Sequence, residues 1–317
     1  ATDHRRLCPS RMPGQELIRF MPATATSHQP TDAESTAATG SWRLTLGAGM
    51  NSAAERFRRR PDSARWFLSA TAFLLEAISI GLMRRRDVAD MVDKTYASRP
   101  EFYDPDRYQL PHESRMLPSL LKHRSSCRLL DAFCGQGREA KWFADAGYHV
   151  TAIDRLDWMI DRAKRYAVDA GFSAEFITED FDTFDPAETF EVVYTSCWMV
   201  STVQGVDRRR EFLDQCGRLC SEDGVAVVSY VNQRASSKTG AWVRFGIAKT
   251  VAWLTAGNVR TEFGERIYTG LFWHHLSDAT VRREVDAAGW QIAEIIAGSG
   301  MDPTFLFLTR RRGDTPR

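Results

Sequence analysis

The stretch RLLDAFCGQGREAKWFADAGYHVTAID, residues 128–154, decides the fold of this chain. It opens with a short apolar run that ends at Asp131, and a glycine-containing turn follows. Apolar residues spaced three to four apart then predict a helix. A second apolar run, Tyr148 to Ile153, ends at Asp154. Strand, glycine turn, helix, strand and acid in this order predict the βαβ unit that binds an adenosine-containing cofactor.

Each part of this unit has a physical role in holding such a ligand. Gly135 and Gly137 let backbone N–H groups approach closely, in conformations that a side chain would hinder. The helix that begins near Arg138 points the positive end of its dipole at the ligand. Asp154 is placed to accept hydrogen bonds from both ribose hydroxyls, and Asp131 is placed to meet a positive charge. On this stretch alone, a nicotinamide-dependent dehydrogenase and a cofactor-free sheet both stay open.

The segment resembles motif I of class I S-adenosylmethionine-dependent methyltransferases, whose usual form is close to LDxGCGxGR. The matching residues are Asp131, Cys134, Gly135, Gly137 and Arg138. Phe133 stands where the family usually has glycine; we expect it to keep a negative φ and to place its ring in the core or over the cofactor.

The same segment also resembles a motif of DNA methyltransferases, and the comparison bears on the substrate class. The letters DAFCGQG are also close to the DPFCGSG of amino-methylating DNA enzymes, which carry an N/D-P-P-Y box after the fourth strand. This chain has TSCW at 195–198 instead, and its formal net charge is only +1. Both observations argue against a nucleic-acid partner.

The resemblance implies S-adenosylmethionine as cofactor and a set of residues that hold it. Asp180 is expected to bond the adenine amino group and Phe181 to pack on the ring. The cofactor-binding candidates are Asp131, Phe133, Gly135, Gly137, Asp154, Arg155, Asp180, Phe181 and Ser196.

Further apolar runs extend the pattern beyond Asp154. Strands are predicted near 174–177, 190–194, 225–230, 290–296 and 304–309, with helices between them. The sequence therefore predicts an α/β fold: a doubly wound, seven-stranded, mostly parallel Rossmann-like methyltransferase sheet with a helical N-terminal extension. In the resembled family, the last two strands pair antiparallel at the sheet edge.

The domain organisation follows from composition in the N-terminal segments and from the family resemblance in the rest of the chain. Residues 1–50 are predicted to be a disordered tail, 51–95 a helical extension, and 96–317 the methyltransferase domain. The domain carries a substrate-side insertion at 233–275.

The insertion supplies candidates for the acceptor site. Its segment from Ile267 to His275 is predicted to be one strand at the substrate mouth. His274 and His275 are the candidates for a general base, although histidines in an aromatic strand also serve structural roles. An apolar acceptor pocket is predicted from a set of aromatic side chains that could equally belong to the core: Tyr103, Tyr108, Trp198, Tyr268 and Trp273.

The segment from Trp66 to Met83, residues 66–83, is apolar and is followed by three arginines. As a helix it would span about 27 Å, barely the thickness of a bilayer core, with Glu76 near its middle. A buried or dimer-interface helix, an interfacial membrane helix and a membrane span all stay open. If it packs on the protein, we expect Glu76 to face solvent or a partner, and Phe67, Leu74 and Ile78 to be buried.

The six cysteines among 317 residues show no zinc-ligand spacing, so no metal site is expected. Free thiols favour a cytoplasmic protein, with membrane association left open. We expect methyl transfer from S-adenosylmethionine to a small-molecule acceptor at O, N or C, for example in secondary metabolism. The alternatives are a membrane-associated lipid or quinone methyltransferase and a noncatalytic S-adenosylmethionine-binding protein.

Overall fold

A computed structural model describes residues 41–58, 65–98, 113–235 and 238–311 of the chain. Most of the predicted tail, residues 1–40, lies outside this range, and so do Tyr103 and Tyr108.

The described helices and strands alternate along most of the chain. In order they are α1 Trp42–Arg58, α2 Arg65–Leu82, α3 Arg85–Ala97, α4 Met116–His123, β1 Arg128–Ala132, α5 Arg138–Asp145, β2 His149–Asp154, α6 Asp157–Ala170, β3 Glu175–Thr178, β4 Phe190–Thr195, α7 Met199–Thr202, α8 Val206–Leu219, β5 Cys220–Val231, α9 Lys238–Thr255, β6 Glu265–Tyr268, β7 Leu271–His274, α10 Asp278–Ala287, β8 Trp290–Ile296 and β9 Pro303–Arg310.

Seven of the strands form one sheet in the order β3-β2-β1-β4-β5-β9-β8. The pairs among β1 to β5 are parallel, whereas β9 runs antiparallel to both β5 and β8. In the register, Leu130 lies between Thr151 and Val193. The prediction of a doubly wound, mostly parallel sheet with an antiparallel edge is confirmed.

The sheet is buried on both faces because helices cover each side. One cluster of apolar side chains contains Leu130, Val193 and Phe212, and the other contains Leu129, Val192 and Phe143. Neighbouring residues of β1 and β4 therefore point into opposite cores, as the two-residue period of a strand requires.

Two local predictions are corrected. Helix α1 begins at Trp42, so residues 42–50 are helical and do not belong to a disordered tail. The single strand predicted over 267–275 is a hairpin of β6 and β7. Its turn residues Thr269 and Gly270 have φ of +55° and +77°, the left-handed pair that a two-residue hairpin turn favours.

The N-terminal extension and the insertion form one cap. Helix α2 contacts α1, where Ser79 Oγ donates to the Gly47 carbonyl at 3.0 Å, and also α9, where Gly81 lies against the Ala248 carbonyl. The insertion returns to the sheet where Leu276 N–H donates to the Val231 carbonyl, 3.0 Å away, at the end of β5. The cap is thereby attached at the carboxyl end of the parallel strands.

The buried face of α2 differs from the predicted one. Glu76 is fully buried, whereas Leu74 is 45% exposed and Ile78 is half-buried. The Glu76 carboxylate accepts from Arg58 Nη2 at 2.6 Å and from Arg266 Nε at 2.8 Å, and Arg244 Nε lies 3.6 Å away. The arginines of α1, β6 and α9 satisfy a charge that apolar periodicity alone would place in solvent.

In the described part of the chain, none of the helices combines the length and apolar character that crossing a bilayer requires. Helix α2 packs against both α1 and α9.

Replacing the buried carboxylate tests its structural role. We expect Glu76→Gln to lower the free energy of unfolding by about 3–5 kcal/mol, because it leaves the arginines in the interior without their counter-charge. The matched control is Leu74→Gln on the same helix, which should cost about 1 kcal/mol or less. Urea denaturation of both variants measures the difference, and equal losses would contradict the role of Glu76.

Candidate functional site

The turn after β1 is held against the neighbouring strand by its own backbone. Cys134 N–H donates to the Ile153 carbonyl of β2 at 3.0 Å, and Gly137 N–H donates to the Cys134 carbonyl at 2.9 Å. Gly137 has a φ of +83°, and a Cβ there would lie 3.2 Å from Ala163. Glycine is required at this position because both the backbone conformation and the helix packing exclude a side chain.

Similar bonds gather the ends of the parallel strands. Ser196 N–H donates to the Ala132 carbonyl and Glu179 N–H to the Asp154 carbonyl, each at 3.1 Å. The structure therefore brings most of the predicted cofactor residues to one edge of the sheet. They are Asp131, Gly135, Gly137, Asp154, Arg155, Asp180 and Ser196.

Asp131 lies fully buried beneath the turn. Neither of its carboxyl oxygens has a hydrogen-bond partner among the described residues. Burial raises the pKa of Asp131 well above its usual value, and the nearby Glu139 and Asp154 raise it further. A buried carboxyl without a partner is costly. The site is therefore built to receive a group that donates hydrogen bonds or carries positive charge.

Asp154 supports the turn and keeps capacity for a ligand. Its Oδ2 accepts from Gly135 N–H at 3.1 Å and its Oδ1 from Leu156 N–H at 3.0 Å. Burial raises its pKa, and these two hydrogen bonds lower it. A carboxylate has about four acceptor positions, so positions remain for ribose hydroxyls. Arg155, next to it, is ion-paired with Asp93 of α3.

The backbone conformation of Phe133 and the surroundings of Phe181 differ from the predicted ones. Phe133 has a φ of +63° and not a negative value, and its ring packs 4.9 Å from Phe181 and 6.2 Å from Phe212. Phe181 is itself a core residue, because its other neighbour is Phe212 at 5.2 Å and its side chain is almost fully buried. Phe181 is thus occupied in the core rather than free to cover an adenine ring. The strained backbone of Phe133 is offset by this aromatic packing.

An aromatic wall stands beside the cofactor edge. Tyr268 stacks on Trp273 with 5.6 Å between ring centroids, and Trp198 meets Trp273 edge-on at 5.8 Å. Trp198 has a φ of +65°, and its N–H donates to Ser229 Oγ at 2.7 Å while its indole donates to the Met301 carbonyl at 2.9 Å. The three described candidates for the acceptor pocket are thereby brought together.

The two predicted base candidates lie in different surroundings. His274 Nδ1 accepts from Arg209 at 3.1 Å, and its Nε2 donates to the Phe263 carbonyl at 2.9 Å, so neither nitrogen remains to take a proton. His275 lies 6.5 Å from the Tyr268 ring. Burial and the charge of Arg266 lower the pKa of His275 to about 3, which makes it neutral but weakly basic at pH 7.

Three features of the site were missed in the sequence. Met301, between β8 and β9, accepts the indole proton of Trp198, and its sulfur lies 3.6 Å from Tyr268 Oη. Glu139 is a buried acid at the start of α5. Arg209 is fully buried and bonds Glu284 at 2.8 Å. Met301 and Arg209 do not stand out locally because they contact residues distant in the chain, and Glu139 does not because its burial is not evident from its neighbours.

Known proteins match the segment that carries the cofactor edge. A family model described as a methyltransferase domain covers residues 129–224. A ubiquinone biosynthesis O-methyltransferase of Rickettsia conorii is 27% identical over 109 residues, which are 34% of this chain and 36% of that protein. Residues 129–224 are a class I S-adenosylmethionine-dependent methyltransferase domain. The cofactor of this domain is S-adenosylmethionine.

Other methyltransferases extend the comparison. A ubiquinone biosynthesis O-methyltransferase of Bradyrhizobium sp. is 29% identical over 133 residues, which are 42% of this chain and 50% of that protein. The chain therefore spans between a third and a half of these curated relatives. A crystal structure of a methyltransferase from Methanosarcina mazei shares the fold with a TM-score of 0.51 and 17% identity, over 61% of this chain and 97% of that one.

The residues at the edge fit S-adenosylmethionine. Its amino group can occupy the place beneath the turn where the Asp131 carboxyl has no described partner. Its ribose hydroxyls match the remaining acceptor positions of Asp154.

The buried histidines predict a pH dependence of stability. Burial lowers the pKa of His274 to about 4 and that of His275 to about 3, below the value of about 6.5 in the unfolded chain. Their contribution is complete above about pH 6.5 and is lost as the pH falls toward those values. Burial favours the neutral form of Glu265 and raises its pKa to about 8. Its contribution to stability is therefore complete below its unfolded pKa and is lost as the pH rises toward 8.

We expect His275→Asn to flatten the fall in unfolding free energy between pH 6.5 and 4 by about 1.4 kcal/mol per pH unit, which corresponds to one proton. Urea denaturation across this range measures the slope. Replacement of the exposed His149 by asparagine is the matched control and should leave the slope unchanged. An unchanged slope in His275→Asn would contradict the burial of a neutral histidine.

Proposed function

We propose that the protein transfers the methyl group of S-adenosylmethionine to a flat, apolar small molecule held against Trp198, Tyr268 and Trp273. The observation that carries this proposal is the buried Asp131 carboxyl beneath the glycine turn. The cofactor, when bound, supplies an electrophilic methyl group on a positively charged sulfur. The protein then has to orient the acceptor and exclude water.

The charges of the site favour this cofactor over a dinucleotide. Asp131, Glu139 and Asp154 lie at the turn; burial raises the pKa of Asp131, Glu139 and Asp154 raise it further, and Arg138 lowers it. A pyrophosphate in the same place would add negative charge to three acids. An amino group and a sulfonium bring positive charge, which favours ionised Asp131 and its hydrogen bonds.

The aromatic wall supports an acceptor with a planar ring. Trp198, Tyr268 and Trp273 are each half-buried, so parts of their surfaces remain open to a ligand. Such a wall stacks on planar groups and sheds water from them. The unusual backbone of Trp198, fixed by Ser229, holds its indole in place at the end of β4.

The histidines restrict the acceptor atom. In methyl transfer to a hydroxyl, the acceptor oxygen bonds the methyl carbon, the carbon–sulfur bond breaks, and the hydroxyl loses its proton. His275 is the remaining candidate to receive that proton, and it is a weak base. We therefore propose an acidic hydroxyl such as a phenol, which requires less help than an aliphatic alcohol. The names of the curated O-methylating relatives support oxygen as the acceptor atom.

Quinone precursors and phenolic secondary metabolites both satisfy this description. The relatives' names, which refer to ubiquinone biosynthesis, favour the first, although the match covers only 34% of this chain. We propose no anchor or dimer interface on the apolar helix α2, because α1 and α9 pack against it and its Glu76 is buried among arginines of the same chain.

Replacing the buried carboxyl of Asp131 by an amide tests the cofactor site. We expect Asp131→Asn to weaken S-adenosylmethionine binding by about 1.5–3 kcal/mol, since a charge-assisted hydrogen bond is lost. The free protein should not lose stability, because the carboxyl has no described hydrogen bond to lose. Calorimetry and urea denaturation measure the two effects, with the exposed Asp161→Asn as control. Tight binding of NAD without binding of S-adenosylmethionine would refute the proposal.

Enzymatic turnover tests whether the aromatic wall binds the methyl acceptor. A panel of phenols incubated with S-adenosylmethionine should yield S-adenosylhomocysteine and methyl ethers, measured by mass spectrometry. Trp273→Leu should raise the KM of the best phenol about tenfold, equivalent to about 1.4 kcal/mol of stacking and burial. Its affinity for the cofactor should stay unchanged. An equal loss of cofactor affinity would place Trp273 outside the acceptor pocket.

A further inference from the structure

One end of the cap exposes large apolar side chains that the methyltransferase site does not use. Trp253 and Leu254 in the last turn of α9 are 79% and 68% exposed. Trp42 and Leu46, one helical turn apart at the start of α1, are also exposed, and so is Val259. We name these five residues the apolar end of the cap.

A side-chain hydrogen bond brings the start of α1 to the end of α9. Arg43 Nη2 donates to the Thr255 carbonyl at 2.7 Å, and this joins the start of α1 to the end of α9. The Arg43 guanidinium also lies 4.6 Å from the centre of the Trp42 ring. Trp42 therefore lies beside the segment that carries Trp253 and Leu254.

The surface is bordered by positive charge. Arg84 Nε donates to the Ala256 carbonyl at 3.2 Å, and Lys249 Nζ to the Val259 carbonyl at 3.1 Å. Arg86 and Arg260 are exposed. Within the described segments, neither these four side chains nor Arg43 forms an ion pair.

The segments next to the apolar end of the cap lack acidic residues, although the exposed Asp90 lies one turn beyond Arg86 on α3. Residues 41–54, 77–86 and 249–261 contain no aspartate or glutamate. The next acid along the chain, Asp87, is buried and accepts from the Arg84 backbone N–H at 2.9 Å. The chain as a whole is nearly neutral, so this end of the cap is a local concentration of cations and not a reflection of composition.

We propose that this end of the cap docks on the surface of a membrane that contains anionic lipids. Tryptophan and leucine enter the boundary between headgroups and acyl chains, while arginine and lysine contact lipid phosphates. A second copy of the chain is a poorer occupant, because two such surfaces would bring five cations against five others. The proposal is independent of the methyl transfer proposed above.

Sedimentation with vesicles tests the docking. The full chain should pellet with equimolar phosphatidylcholine and phosphatidylglycerol vesicles, and much less with phosphatidylcholine alone or at high salt. Trp253→Ser with Leu254→Ser should weaken binding at least about tenfold. The matched control is Val168→Ser on α6, which removes a side chain that is 81% exposed elsewhere and should bind like the unaltered protein.

A charge variant separates the two contributions. Arg86→Gln with Arg260→Gln should weaken binding to the anionic vesicles by on the order of tenfold and reduce its salt dependence. Failure of the unaltered chain to pellet with either vesicle would overturn the proposal, as would undiminished binding of the Trp253 and Leu254 variant. If sedimentation equilibrium instead shows a dimer that this variant dissociates, the occupant is a second copy.

Discussion

The cap of this protein depends on one buried carboxylate. Glu76 of α2 is surrounded by Arg58 of α1, Arg266 of β6 and Arg244 of α9, so a single side chain joins the N-terminal extension to the insertion. Three attractions hold its pKa below the usual value although burial alone would raise it. Removing these charges from water costs free energy, and their mutual attraction offsets that cost only when α1, α2, α9 and β6 are all in place. The cluster therefore specifies the arrangement of the cap more than it adds stability.

The position of this cluster explains how the extension takes part in the site. Arg266 lies next to Ile267 and Tyr268 on the hairpin, and its guanidinium is 5.3 Å from the centre of the Tyr268 ring. Thr269 N–H in the hairpin turn donates to Glu55 of α1 at 3.2 Å. The aromatic wall is thus supported from behind by charged side chains of the extension. A change in α1 or α2 would reach the aromatic wall through these contacts.

The sequence predicts the sheet domain well because its signals are local. Apolar runs of strand length, the glycine turn and the two acids at 131 and 154 each lie within a few residues of one another, and the structure keeps them in that order. The cofactor edge follows directly, since parallel strands must end on the same side. Even the closing antiparallel strands agree with the expected ranges to within one residue.

The errors arise where a distant residue decides the outcome. Periodicity places Glu76 in solvent or against a partner, because it cannot show that an arginine 190 positions away will reach it. His274 is a plausible base until Arg209 and Phe263 occupy its nitrogens. Phe133 adopts a left-handed backbone conformation in which its ring packs against Phe181 and Phe212 in the core. In each case, tertiary packing overrides a local preference that is correct in isolation.

The cap and the sheet domain concentrate charges of opposite sign. Acids surround the glycine turn and suit a cofactor with positive charge, whereas the cap concentrates arginines at its core and at its apolar end. Helix α9 connects the two cationic regions, because Arg244 contacts the Glu76 cluster and Trp253 lies at the exposed end. These residues are separated along the helix by about 14 Å. Through Arg266, whose guanidinium lies against the Tyr268 ring, the same cluster also contacts the aromatic wall.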